Sequence, residues 1–254
     1  MSRELSQVQD FSNSPGIKNV ENANLTLKEY VIKSSYNSAS SGTYVNLDMV
    51  RYTLSRGCRF LDFEIFSFND KPYVAFSADN MYSNIDSKNK ILLSDVLGLI
   101  VANAFVSPSP NPGDPLFIHL RIKTLNTNLY RSISNIISST LGPKLHTCDI
   151  NLETKLSEIL GKVILIIDKK TAPDYKNYSS CSPKDTNCND LSTQVNMESG
   201  GDYLRIYKYS EILNLSIIPP YIYSDGTTDV KTMRVVIPDI GTNVNNPSIY
   251  RSEE

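Results

Sequence analysis

The chain has 254 residues, 40% of them hydrophobic and 20% charged, a balance that suits a folded protein and excludes a disordered one. Its formal net charge is -2, with neither sign in long runs, which argues against a nucleic-acid partner. No apolar stretch reaches the roughly eighteen residues that cross a bilayer, and the polar start MSRELSQVQDFSNSPG lacks the apolar core of a secretory signal, so the expectation is an intracellular, cytoplasmic protein.

Residues 1–24 are polar, contain Pro15-Gly16 and read as an extended arm. Residues 30–35 have strand character. Leu47, Val50 and Leu54 then recur at helical spacing behind Asn46, a good N-cap, and Gly57 stops that helix. Residues 59–66 alternate as a strand, with Phe60, Asp62, Glu64 and Phe66 on one face and Leu61, Phe63 and Ile65 on the other. The turn at Asn69-Asp70 leads into a strand over 72–77. An apolar helix is predicted over 92–105. A Pro-rich loop over 108–115 precedes a strand over 116–123. An amphipathic helix over 129–141 ends at Gly142-Pro143. A further helix is predicted over 152–160, stopped by Gly161, and a strand over 162–168 follows. Residues 171–202 are polar, rich in Ser and Asn, and aperiodic, as expected of a long loop or linker. Residues 203–209 and 232–238 are the last strand candidates.

This alternation predicts an α/β fold with a mainly parallel sheet and helical crossovers. Seven strands are legible rather than the eight of a closed barrel, so the 232–238 strand is expected to border a gap, or to be completed by a strand from another chain.

The four cysteines, Cys58, Cys148, Cys181 and Cys188, show no paired C-x-x-C spacing. Cys181 and Cys188 flank a polar loop and could pair under oxidation, although free thiols suit an intracellular chain better. There are two histidines. His119 lies on an apolar strand and reads as a satisfied core histidine. His146 lies in a loop.

Three segments resemble, in order and spacing, the X region of phosphatidylinositol-specific phospholipase C. They are LKEYVIKSSYNS (27–38), YTLSRGCRFLDFEIFSFNDKPYVAFS (52–77) and LSEILGKVILIIDKK (156–170). The most specific piece is a helix followed by Arg56-Gly57-Cys58-Arg59 and an acidic strand. The resemblance covers about residues 25–170. Residues 203–207, Tyr-Leu-Arg-Ile-Tyr, resemble the strand that opens the family's second half, which puts 171–202 at its variable linker and makes 203–254 a remnant of that half. The organisation expected is a polar arm over 1–24 and one barrel domain over 25–254.

The resemblance implies a distorted TIM-type (β/α) barrel, open or incomplete at its C-terminal strands, with a site at the C-terminal strand ends. It also implies cleavage of a phosphoinositide phosphodiester. Two histidines act as acid and base, the inositol 2-hydroxyl attacks phosphorus, and calcium is held by an Asn and several carboxylates. Carried onto this sequence, the first histidine falls at Tyr36 and the calcium-binding Asn at Asn37. The acidic pair falls at Asp62 and Glu64, the second histidine at Phe76, and a later acidic position at Arg121. The phosphate-reading lysines fall around Ile166 to Asp168, with Lys169 and Lys170 just beyond.

These departures matter chemically. A phenol with an ordinary pKa near 10 is roughly 0.1% ionised at pH 7, so Tyr36 is a poor base. Phe76 cannot move a proton, and losing one positioned acid or base costs about 10²–10⁴ in rate. Arg121 puts a cation where calcium wants an anion, at the right length to pair with Asp62 or Glu64. The expectation is therefore no cofactor, a lost calcium site, and carboxylates neutralised by Arg121 or Arg59. Asn37, Asp62, Glu64, Arg121 and Lys169 remain as vestigial ligand-binding positions. The function expected is a catalytically inactive phospholipase-C-like domain serving as a structural or interaction module with a protein partner. The Asn-, Ser-, Ile- and Tyr-rich composition without Trp resembles that encoded by AT-rich genomes, as in many large DNA viruses and some protists, and a virion component is one setting. Two alternatives stay open: a phosphodiesterase using Tyr36 with Asp62 or Glu64, and a phosphoinositide- or membrane-binding pocket without turnover.

Overall fold

The side chain of Asn46 accepts a hydrogen bond from the backbone N–H of Met49, which starts helix α1 (Leu47–Ser55) as its sequence requires. Gly57, at φ 79°, turns the chain out of that helix where a side chain would be strained. In the computed structural model, the residues described are 22–77, 84–107, 109–179, 189–201, 203–213, 221–222, 226–229 and 232–239. Residues 1–21 of the polar arm, Cys181 and Cys188 lie outside them.

One nine-stranded sheet organises the chain. Its strands are β1 (Ser34–Ser35), β2 (Phe60–Phe68), β3 (Lys71–Ala75), β4 (Ile91–Leu92), β5 (Leu116–Lys123), β6 (Val163–Asp168), β7 (Met197–Ser199), β8 (Leu204–Lys208) and β9 (Met233–Ile237). The parallel run is β1-β2-β5-β6-β7-β8-β9, and β3 and β4 add antiparallel strands on the far side of β2. The crossovers carry α2 (Leu93–Ala104) and α3 (Asn128–Leu141).

Alternation along the strands builds two apolar layers. Leu61, Phe63 and Ile65 of β2, with Ile118 and Leu120 of β5 and Leu165 of β6, pack beneath the helices. Phe60, Phe117, Ile164, Ile166, Met197, Leu204 and Met233 gather on the opposite face into one inner cluster. Residues of β2 and β9 share that cluster although many strands separate them, so the sheet is curled as a barrel is. Among the described residues, β9 pairs only with β8 and β1 only with β2, and the barrel stays open between them.

Four expectations need correction. Among the described residues the main sheet has nine strands rather than seven, because β4 and β7 have two and three residues and carry no readable alternation. The strand expected over 30–35 pairs only at Ser34–Ser35. The helix expected over 152–160 is a single 3-10 turn, Leu156–Glu158. There the backbone N–H groups of Leu156 and Ser157 donate to Leu25 and Ala23, and Leu27 joins the inner cluster, so this segment holds the chain's start against the floor of the barrel. Finally, 171–202 is not all loop: it contributes α4 (Tyr175–Ser179), α5 (Leu191–Gln194) and β7.

Candidate functional site

Parallel pairing of β2 with β5 sets Asp62 beside His119, Glu64 beside Arg121 and Phe66 beside Lys123. Alternation turns all of these polar side chains to the inner face, toward the C-terminal strand ends. Arg121 is the hub, and it is buried. Its Nε donates to Asp62 Oδ1 at 2.9 Å and its Nη2 to Asp62 Oδ2 at 2.6 Å, a two-point pair. Nη2 also donates to Asn37 Oδ1 at 2.8 Å. Nη1 donates to Glu64 Oε1 at 2.6 Å and to the Tyr36 phenol oxygen at 2.9 Å. A guanidinium has five N–H groups, and each of these has an acceptor. The Tyr36 ring also lies under the guanidinium, its centroid 4.3 Å from Cζ.

The surrounding charges are matched. Lys123 Nζ donates to Glu64 Oε2 at 3.0 Å, and the same oxygen accepts from the backbone N–H of Ser77. Two cations thus face two carboxylates within the barrel wall. Burial by itself would raise the Asp62 carboxyl, but Arg121 and His119 hold it well below the usual carboxylate range. Burial pushes the Tyr36 phenol up to about 12, with Arg121 acting against the rise and Asp62 and Glu64 adding to it. Burial also disfavours the Arg121 charge, yet the two carboxylates raise its pKa well above the ordinary value.

A second chain of hydrogen bonds leaves Asp62. His119 Nδ1 lies 2.8 Å from Asp62 Oδ1, and His119 Nε2 lies 2.7 Å from Ser199 Oγ. Ser199 Oγ donates on to Asp168 Oδ1 at 3.4 Å. Because an ionised Asp62 only accepts, Nδ1 is the nitrogen that must carry a proton.

The sequence profile of the phosphatidylinositol-specific phospholipase C X domain matches residues 23–170, more than half of the chain. The chain belongs to that family. Among solved structures, PLC21 of L. pealei superposes with a TM-score of 0.62 at 15% identity, over 90% of this chain and 33% of that one. PLC21 of S. officinalis gives 0.60 at 15% identity, with the same coverages. At such identity these likenesses speak for the fold, and the chain spans about a third of the length of those proteins. No curated protein matches the sequence.

In this X domain the positions singled out from sequence divide. Tyr36, Asn37, Asp62, Glu64 and Arg121 come together in one network. Phe76 does not join it. Its side chain is buried in the layer between sheet and helices, with Leu93 and Val96. Lys169 also stands apart, half-exposed and 3.4 Å from Glu198, which additionally accepts from Lys176 and the Tyr175 hydroxyl. Arg59 is not a neutraliser of Asp62 or Glu64. It donates to the backbone carbonyls of Ala104, Pro110 and Asn111, pinning the loop before β5. His119 is buried and hydrogen-bonded at both nitrogens.

Lys123 and Ser199 belong to the network without having been singled out, and Asp168, which was named only as a place for a phosphate-reading lysine, joins it as an acceptor. The signal for Lys123 was present, since residues 119, 121 and 123 alternate onto one face of a strand. Ser199 sits on a three-residue strand that no periodicity marks.

Proposed function

We propose that this X domain is a non-catalytic interaction or scaffolding module in which Arg121 serves as a built-in cation. The observation that carries this reading is the complete engagement of its guanidinium by Asp62, Glu64, Asn37 and Tyr36. Calcium takes six to eight oxygen ligands, mostly from carboxylates and carbonyls. Here the carboxylates of Asp62 and Glu64 and the amide oxygen of Asn37 already accept from Arg121 or Lys123, and a permanent positive charge lies among them. These residues do not fit the ion. Proton transfer fares no better, with a phenol raised to about 12 at position 36 and an aromatic hydrocarbon directed away from the mouth at position 76.

The phosphoinositide-pocket reading is weaker on the same ground. Arg121 and Lys123 are committed to carboxylates, so a phosphate entering the mouth would have to displace a buried ion pair. The edge of β9, which has no second strand among the described residues, favours a protein partner that adds a strand there. The composition makes a virion one setting for such a module.

The test incubates purified protein with phosphatidylinositol vesicles in millimolar calcium and measures inositol phosphate release. The expected result is no release above background and no calcium-induced rise in melting temperature. Calcium-dependent release that falls in Tyr36→Phe would overturn the reading.

A further inference from the structure

A solvent-open cavity of about 460 Å³, of mixed polar and apolar lining, lies at the end of the barrel opposite the Arg121 network. Its position follows from the backbone. Leu145 bridges to Val163, the first residue of β6, and His146 N–H donates to Val163 O, so residues 145–147 cross the N-terminal end of that strand. Arg121 lies near the C-terminal end of β5. The cavity is walled by the last turn of α3, residues 145–147 and α5, and its volume falls within the range of small-molecule sites.

Its lining mixes hydrogen-bonding side chains with a slightly larger share of apolar surface. Ser138, His146, Thr147, Asp190, Thr193 and Gln194 face it, and Leu145 is its one large apolar side chain. The walls are held from behind by two buried amides. Gln194 accepts from Ser134 Oγ and donates to Ser134 O and Ser138 Oγ. Asn196 donates to the carbonyls of His146 and Cys148 and accepts from Leu165 N–H. A frame fixed in this way loses little freedom when a ligand enters.

Not all of the lining groups are spent within the protein. The His146 ring has no hydrogen-bond partner among the described residues, and burial, together with Lys162, holds its pKa below the ordinary value against the pull of Glu158. An imidazole kept neutral both donates and accepts. Asp190 uses Oδ1 to cap α5, through Ser192 N–H and Oγ, which leaves Oδ2.

The lining also sets the ligand class. An apolar guest would strip water from hydroxyls and a carboxylate without replacing their hydrogen bonds. An anion would meet Asp190 and the carbonyl end of α3, with no Lys or Arg in the lining. We propose that this cavity is a second binding site, taking a small neutral polyhydroxyl compound of the monosaccharide class. The site is independent of the barrel mouth and does not rest on the function proposed for it.

The test titrates the full chain with glucose, and separately with inorganic phosphate, while following backbone amide NMR shifts. The expected result is saturable shifts at residues 138–147 and 189–194 in the millimolar range with glucose and none with phosphate. His146→Phe and Thr147→Val, each checked for an unchanged fold by circular dichroism, should each weaken glucose at least fivefold. The proposal is overturned by any of four outcomes: no saturable response to glucose, shifts confined to the barrel mouth, stronger binding of phosphate, or unchanged affinity in both variants.

Discussion

Arg121 and Asp62 meet through two parallel hydrogen bonds of 2.9 and 2.6 Å, across neighbouring strands and away from solvent. A pair in that position is retained only if both members stay, because either one alone is an uncompensated buried charge.

Arg121→Ala should therefore be severe. It takes the guanidinium away from Asp62 and leaves Glu64 with one of its two cations, and breaking a buried pair of this kind costs about 3–5 kcal/mol. Urea unfolding should show a matching fall in stability with an unchanged slope. A loss under about 1 kcal/mol would mean that water or neighbouring groups take over Arg121's bonds.

Stability should fall in acid through Asp62. Its folded pKa is depressed below the ordinary 3.8, so the unfolded chain takes up its proton first as pH drops. The contribution is fully present above the unfolded value and is lost as pH falls toward the folded one. Asp62→Asn should be less stable at pH 7 and should lose less additional stability below pH ~4 than the parent. Thermal melts across that range decide the point.

At the alkaline end the sign reverses. The Tyr36 phenol is raised from 10.0 to about 12, so folding favours its neutral form, and that contribution is lost as pH climbs from the first value through the second. Absorbance titration of tyrosinate should lose one late-titrating group in Tyr36→Phe, while Tyr175, which burial and Glu198 also push up, stays late.

Placing a histidine at position 76 should not rebuild a site. Phe76→His puts an imidazole into an apolar layer with Leu93 and Val96, where an unsatisfied polar group costs about 1–3 kcal/mol. The measurement is a lowered melting temperature together with no gain of inositol phosphate release.

His119 should keep a proton on Nδ1. Long-range proton–nitrogen NMR is expected to find Nδ1 protonated, facing Asp62. A proton on Nε2 alone would contradict the ionised state assigned to Asp62.

The strand over residues 60–68 shows how far the linear order of residues goes. Its alternation announces a buried strand with Asp62 and Glu64 on one face, because side-chain direction in a strand depends on parity alone. The helix after Asn46 and the six longest strands of the sheet are local in the same sense, and Arg56-Gly57-Cys58-Arg59 before the acidic strand carries the family. The charge reversal at Arg121 is likewise legible. Which carboxylates Arg121 would meet depended on the register of β2 against β5, and that is a matter of partners 59 and 57 residues away. The same holds for Arg59, equally able by length to reach inward, which the sheet turns toward the loop before β5. The assignment at position 76 carried no information about direction, and the packing of α2 drew Phe76 into the helix layer. Ser199 depended wholly on tertiary structure, whereas the gap beside β9 was already expected from the number of legible strands. A three-residue strand has no period of its own and exists only because β6 and β8 hold it between them.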